Sequence, residues 1–146
     1  MWKLYLSFFL LFIITSCSSN DIKSVEQIEL IYWENENSKT RNEYVDDQEA
    51  IEIFVDTVNN AEELGKQKII TTKPLLSFSL GLGKEENKNY HLWVTESGEG
   101  YIQRLLPDAN GTFKIDDKSV EKLKSFFEEK EDVSLISSAI EFEKID

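Results

Sequence analysis

The chain is short of the residues from which metal, redox and nucleophilic sites are usually built. Its 146 residues include one cysteine, one histidine, one methionine and two prolines. A single cysteine excludes an internal disulfide, and it excludes every zinc site that needs two or more thiolates at set spacing. Any imidazole chemistry falls on His91 alone. Positive charge is also scarce: 16 Lys and Arg stand against 28 Asp and Glu, a formal net charge of −12. Phosphate backbones and anionic headgroups are bound chiefly by clustered Lys and Arg, so no nucleic-acid partner is expected. The acidic residues are spread along the chain and are densest in "FFEEKED" (126–132), the pattern of a solvated surface. No internal repeat or low-complexity segment is present.

What is present begins at the N-terminus. Lys3 gives a short positive start, Leu4 to Ile14 form an apolar stretch of 11 residues, and small Thr15 and Ser16 precede Cys17. This is the layout of a secretory signal, and it falls well below the roughly 20 apolar residues that span a bilayer as a helix. Ile14-Thr15-Ser16-Cys17 resembles the lipobox of bacterial lipoproteins. That resemblance implies cleavage between Ser16 and Cys17 and a diacylglycerol on the Cys17 sulfur. Cys17 then becomes the mature N-terminus, and the membrane itself is a partner. Two acyl chains, at about 0.8 kcal/mol per buried CH₂, make a stable anchor. The expected organisation is a signal peptide over 1–16, a tether over 17–24, one folded domain over 25–130 and an unassigned tail over 131–146.

Apolar residues make up 40% of the sequence, enough for one core and hence one domain. "VEQIELIYWE" (25–34) alternates as a half-buried strand does, and 35–41 is read as a loop. A helix is predicted from an Asp46 N-cap, with Glu49 completing a capping-box pattern. Its stripe is Ile51, Phe54, Val55, Val58 and Ala61 or Leu64, and Gly65 stands as its terminator. Strand-like segments follow at 68–72, 75–83, 89–95, 101–106 and 112–115, with short connections that imply antiparallel neighbours. A second helix is predicted over about 117–130 after an Asp cap, with Val120, Leu123, Phe126 and Phe127 on one stripe. The tail, with Ile140, Phe142 and Ile145, fits either an edge strand or a segment lying on the sheet. The expected fold is α+β in two layers, an antiparallel sheet with both helices on one face, in the order β-α-β-β-β-β-α.

Tests for chemistry give little. His91 with Ser77, Ser79 or Ser97 and a carboxylate could form a triad, but no G-x-S-x-G elbow is present. "DANGTFKIDD" (108–117) lacks the spacing of a calcium loop, and "GLGKEENKN" (81–89) lacks that of a phosphate-binding loop. No metal and no cofactor is expected. One surface stands out: His91, Trp93 and Thr95 share a strand face, and a two-residue turn at Gly98-Glu99 would set Trp93 opposite Arg104. A Trp93–Arg104 stack beside His91 is the candidate binding surface, while plain cross-strand packing explains the same residues.

A second resemblance lies in the helix "DDQEAIEIFVDTVNNAEE", then "TTKP", "YHLWV", "GEGYIQRL" and finally "TFKI" before the last helix. Over about residues 25–130 these are similar to the YhfM-like domain of small Bacillus-type lipoproteins. The resemblance implies a lipid-anchored domain on the extracytoplasmic face of a Gram-positive cell membrane, with no catalytic residues to carry over. The expectation is a non-enzymatic lipoprotein that binds or supports another envelope component. A small-ligand module is the alternative, and a hydrolase using His91 ranks third.

Overall fold

A computed structural model of the chain describes residues 22–33, 41–65, 68–105, 107 and 111–144. The first alternation becomes β1, Gln27–Tyr32, which buries Ile28, Leu30 and Tyr32. It is followed by β2 (Arg41–Val45), α1 (Gln48–Asn60), β3 (Glu62–Glu63), β4 (Leu76–Gly81), β5 (Asn87–Val94), β6 (Gly100–Arg104), β7 (Gly111–Lys114) and α2 (Asp117–Glu128). Every pairing is antiparallel, and the seven strands lie in the order β2-β1-β4-β5-β6-β7-β3. The α+β architecture expected from the sequence is therefore the one adopted.

The core follows from period-2 burial on the sheet meeting helical stripes. Ile28, Leu30, Leu76, Phe78, Leu80, Tyr90, Leu92 and Ile102 all point to one face and are buried. From α1, Phe54 meets Phe78 edge-on at 5.2 Å, and it meets Phe126 and Phe127 of α2 at 5.4 and 6.3 Å. Both helices thus cover the same sheet face. Gly100 is required by that layer: a Cβ there would stand 2.7 Å from Val120 Cγ2 and 3.1 Å from Ile115 Cδ1. Ile22, the first described residue, already belongs to this core, within the stretch read as a tether. Asn59 of α1 clamps it, accepting from its N–H at 2.8 Å and donating to its carbonyl at 3.2 Å.

Several expected boundaries move. The N-cap of α1 is Asp47 rather than Asp46. Its Oδ2 accepts from Ala50 N at 3.0 Å, so Glu49 lies in the first turn and completes no capping box. The helix ends at Asn60 instead of running to Gly65, because Ala61 turns extended and Glu62–Glu63 pair with the free edge of β7. Strand β2 falls partly on the expected loop; its inward residues are Arg41 and Glu43, balanced by the Tyr32 hydroxyl and Lys130. The expected strand at 68–72 makes only an isolated bridge, Ile70 to Phe142.

That bridge belongs to a partial third layer on the face opposite the helices. Thr71 N–H donates to the Glu141 carbonyl at 2.9 Å and Glu143 N–H to that of Ile69 at 2.7 Å. Phe142 meets Tyr101 edge-on at 5.3 Å, and Thr112 Oγ1 donates to the Lys68 carbonyl at 2.8 Å. Earlier in the tail, Ile136 bonds the Val94 carbonyl and the Glu96 N–H, beside Thr95. These contacts fall on β5, β6 and β7.

Candidate functional site

The hairpin between β5 and β6 decides what the candidate surface is. Its connection is five residues, Thr95 to Glu99: Thr95 N–H donates to the Glu99 carbonyl and Glu99 N–H to Thr95 Oγ1, both at 2.9 Å. Gly98 takes φ 97°, the left-handed region that glycine enters without a Cβ penalty. The resulting register sets Trp93 opposite Tyr101 and Tyr90 opposite Arg104. Relative to a two-residue turn this is a shift of three positions, and an odd shift exchanges faces. Trp93 and Arg104 therefore lie on opposite sides of the sheet, and the expected stack does not form.

Each has a separate packing role. Trp93 is 2% exposed, and its indole N–H donates to the Thr72 carbonyl at 2.7 Å, beneath the third layer. Arg104 is on the helix face, with its guanidinium 4.9 Å over the Phe113 ring. Arg104 stays partly exposed but on the other face, so of the three residues singled out only His91 is partly accessible on the face away from the helices. Residues Ile14, Thr15, Ser16 and Cys17 lie outside the described residues.

Around His91 the fold assembles a different group. Antiparallel pairing of β1 with β4, and of β4 with β5, brings Trp33, Ser77 and His91 together on the face away from the helices. The Trp33 indole N–H donates to Ser77 Oγ at 2.8 Å, and Ser77 Oγ lies 2.6 Å from His91 Nδ1. The His91 ring sits edge-on to Trp33 at 5.3 Å and to Trp93 at 6.0 Å. Burial lowers the His91 pKa from its ordinary 6.5, which favours the neutral ring. Since Oγ already accepts from the indole, the hydroxyl hydrogen is best donated to Nδ1, which places the ring proton on Nε2. The chain of bonds is thus Trp33 to Ser77 to His91.

The same face continues onto the outer strands. Tyr44 of β2 is 62% exposed and Trp33 is 44% exposed. Glu29 of β1 accepts from Asn42 Nδ2 at 2.9 Å and from the Tyr44 hydroxyl at 3.2 Å. That carboxylate raises the Tyr44 pKa, chiefly through its charge. Trp33 went unnoticed in the sequence because its partner is 44 residues away and only the β1–β4 register brings them together.

Chemically, Ser77 and His91 supply a hydroxyl and an imidazole, two of the three groups of a nucleophilic triad. The Ser77 oxygen has a lone pair engaged by the indole, and burial alone accounts for the His91 shift, with no carboxylate contributing. Among the described residues, no group of three or more His, Cys, Asp or Glu is arranged to hold a metal ion. A groove of about 760 Å³ runs between α1 and α2, lined mostly by charged side chains including Glu52, Asp56, Glu121 and Glu129. Its apolar lining residues are Ala50, Ile53 and Phe126. It is not the aromatic-lined pocket a small-ligand module would need.

A family model described as YhfM protein matches residues 24–132, about three quarters of the chain. No curated protein and no solved structure matches. The matched span begins just after Ile22 and ends before the Ile136 and Phe142 contacts of the third layer.

Proposed function

This chain belongs to the YhfM family, and from that premise we propose that it is a lipid-anchored, non-enzymatic domain of the cell envelope that binds another envelope component. The observation that carries the reading is the position of Cys17. It closes the lipobox-like Ile14-Thr15-Ser16 and lies five residues before Ile22, where Asn59 takes hold of the chain. Five residues reach at most about 18 Å, so acyl chains on Cys17 would hold the domain against the bilayer surface. The open face around Trp33 and His91 supports a binding role. The Ser77 oxygen committed to Trp33 argues against hydrolysis.

The experiment is fractionation of the full chain with metabolic fatty-acid labelling. The native chain is expected to enter the detergent phase and carry label, and Cys17→Ser to lose both. Retention of label and detergent partition by Cys17→Ser would overturn the anchor.

A further inference from the structure

We propose that the open face bearing Trp33, Ser77 and His91 binds an uncharged glycan, a chain of β-linked pyranose units laid across β2, β1, β4 and β5. The inference deepens the envelope-binding reading by naming the class of ligand, and it rests on that reading for where the ligand is met.

Charge selects against the other classes. The chain carries a net charge of −12, yet on this face of the four strands the described residues include one carboxylate, Glu29, no Lys or Arg, and His91, whose burial favours the neutral ring. Both neighbours of Glu29, Asn42 and Tyr44, already donate to it. Among the described residues of these strands an anionic ligand meets no Lys or Arg on this face, and a cationic one finds far more carboxylate in the groove between the helices. A neutral ligand loses nothing to either.

The remaining groups suit a sugar. Exposed indole and phenol rings offer apolar surfaces for the C–H faces of pyranose rings, and short polar side chains beside them can exchange hydrogen bonds with hydroxyl and acetamido groups. Ser79 and Asn89 lie opposite one another on β4 and β5, both partly accessible. His91 adds a directed donor: with Nδ1 turned to Ser77, its Nε2–H is left for a ligand oxygen. The Trp33–Ser77–His91 bonds also hold these side chains in place before binding, which lowers the ordering cost.

Size and placement agree. Four strands spaced about 4.8 Å apart make a strip roughly 14 Å wide, room for a short oligosaccharide. The chain enters β1 at Gln27, whereas Trp33 follows the other end of that strand, roughly 20 Å further at about 3.3 Å per residue. With the tether near the Gln27 end, where Tyr44 pairs with Glu29, the Trp33 end of the face is free to meet polymer lying beyond the membrane.

The test is isothermal titration calorimetry of the full chain, held in a zwitterionic detergent that contains no sugar, with chitohexaose and cellohexaose as probes. Saturable binding of at least one probe is expected, unchanged between about 50 and 500 mM NaCl because no ion pair is formed. Trp33→Ala is expected to weaken it by about tenfold or more, and Tyr44→Ala, on the outer strand, is the second variant. Circular dichroism establishes that each variant is folded. Absence of saturable binding to both probes, binding abolished by salt, or native affinity in both variants would overturn the proposal. Cys17→Ser is expected to bind sugar as the native chain does. Failure of anchoring with sugar binding intact therefore counts against the envelope location alone, and the converse counts against the ligand alone.

Discussion

Asn59 holds Ile22 by both ends of its backbone, with Oδ1 receiving the N–H at 2.8 Å and Nδ2 reaching the carbonyl at 3.2 Å. One side chain at the end of α1 therefore satisfies two main-chain groups 37 residues away and fixes where the chain enters the fold. Replacing it with alanine leaves both groups without their partner. Asn59→Ala is expected to lower stability by about 1–3 kcal/mol, read as a reduced urea midpoint at constant m-value. Asn59→Asp keeps the acceptor and loses the donor, so its midpoint should fall between those of the alanine variant and the native chain.

Gly100 offers a test of the helix layer. A methyl group there meets Val120 Cγ2 at 2.7 Å, a separation that forces α2 or β6 to move. Gly100→Ala is expected to cost about 1–3 kcal/mol. Combined with Val120→Ala, which removes the clashing methyl group, it should cost less than the two single changes added together. Thermal denaturation of the four proteins checks this.

His91 imposes a pH dependence whose sign is fixed by its surroundings. Burial lowers its pKa in the folded state below the ordinary 6.5. Between those two values the unfolded chain binds more protons than the folded one, so stability falls with falling pH. The contribution is complete above pH 6.5 and is lost as pH drops through the lowered value. Denaturant titrations at several pH values should show that slope in the native chain. His91→Gln should flatten it.

Much of the fold was legible because it is written in local periodicity. Phe54 on α1 and Leu123 and Phe127 on α2 recur at helical spacing, and Leu76, Phe78 and Leu80 alternate as strand residues must. Strand β2 was hidden because its inward positions hold Arg41 and Glu43, charged residues that become acceptable only beside Tyr32 and Lys130. Burial tends to raise the Glu43 pKa, but hydrogen bonds from Lys130 and Tyr32 outweigh it, and the carboxylate stays ionised more readily than usual. Strand β3 is two glutamates whose pairing depends on the free edge of β7. The β-branched run Ile69 to Thr72 does extend, yet its partner is Phe142, some 70 residues on.

The site was less legible, for a geometric reason. The alternation in β5 correctly put His91, Trp93 and Thr95 on one face, but whether Arg104 joins them depends on loop length. A change from two to five connecting residues moved the register by three and sent Arg104 to the helices. Trp33 could be found only by knowing which of its possible partner strands lies beside β1. Short-range pattern reports which residues share a strand face; it does not report which strands are neighbours.

The third layer has a temporal consequence. The helix face is complete once the chain is present as far as Leu135, with Lys130 on Glu43 and Val133 and Leu135 against the core, but the Val94 carbonyl and Glu96 N–H wait for Ile136, and Tyr101 waits for Phe142. A polypeptide stalled or trimmed in that interval would keep its central packing while leaving an unsealed seam beside β5, open to pairing with any extended strand nearby. Residues 136–143 thus act as the closing stitch of the molecule, covering main-chain groups at the end of β5 and the ring of Tyr101.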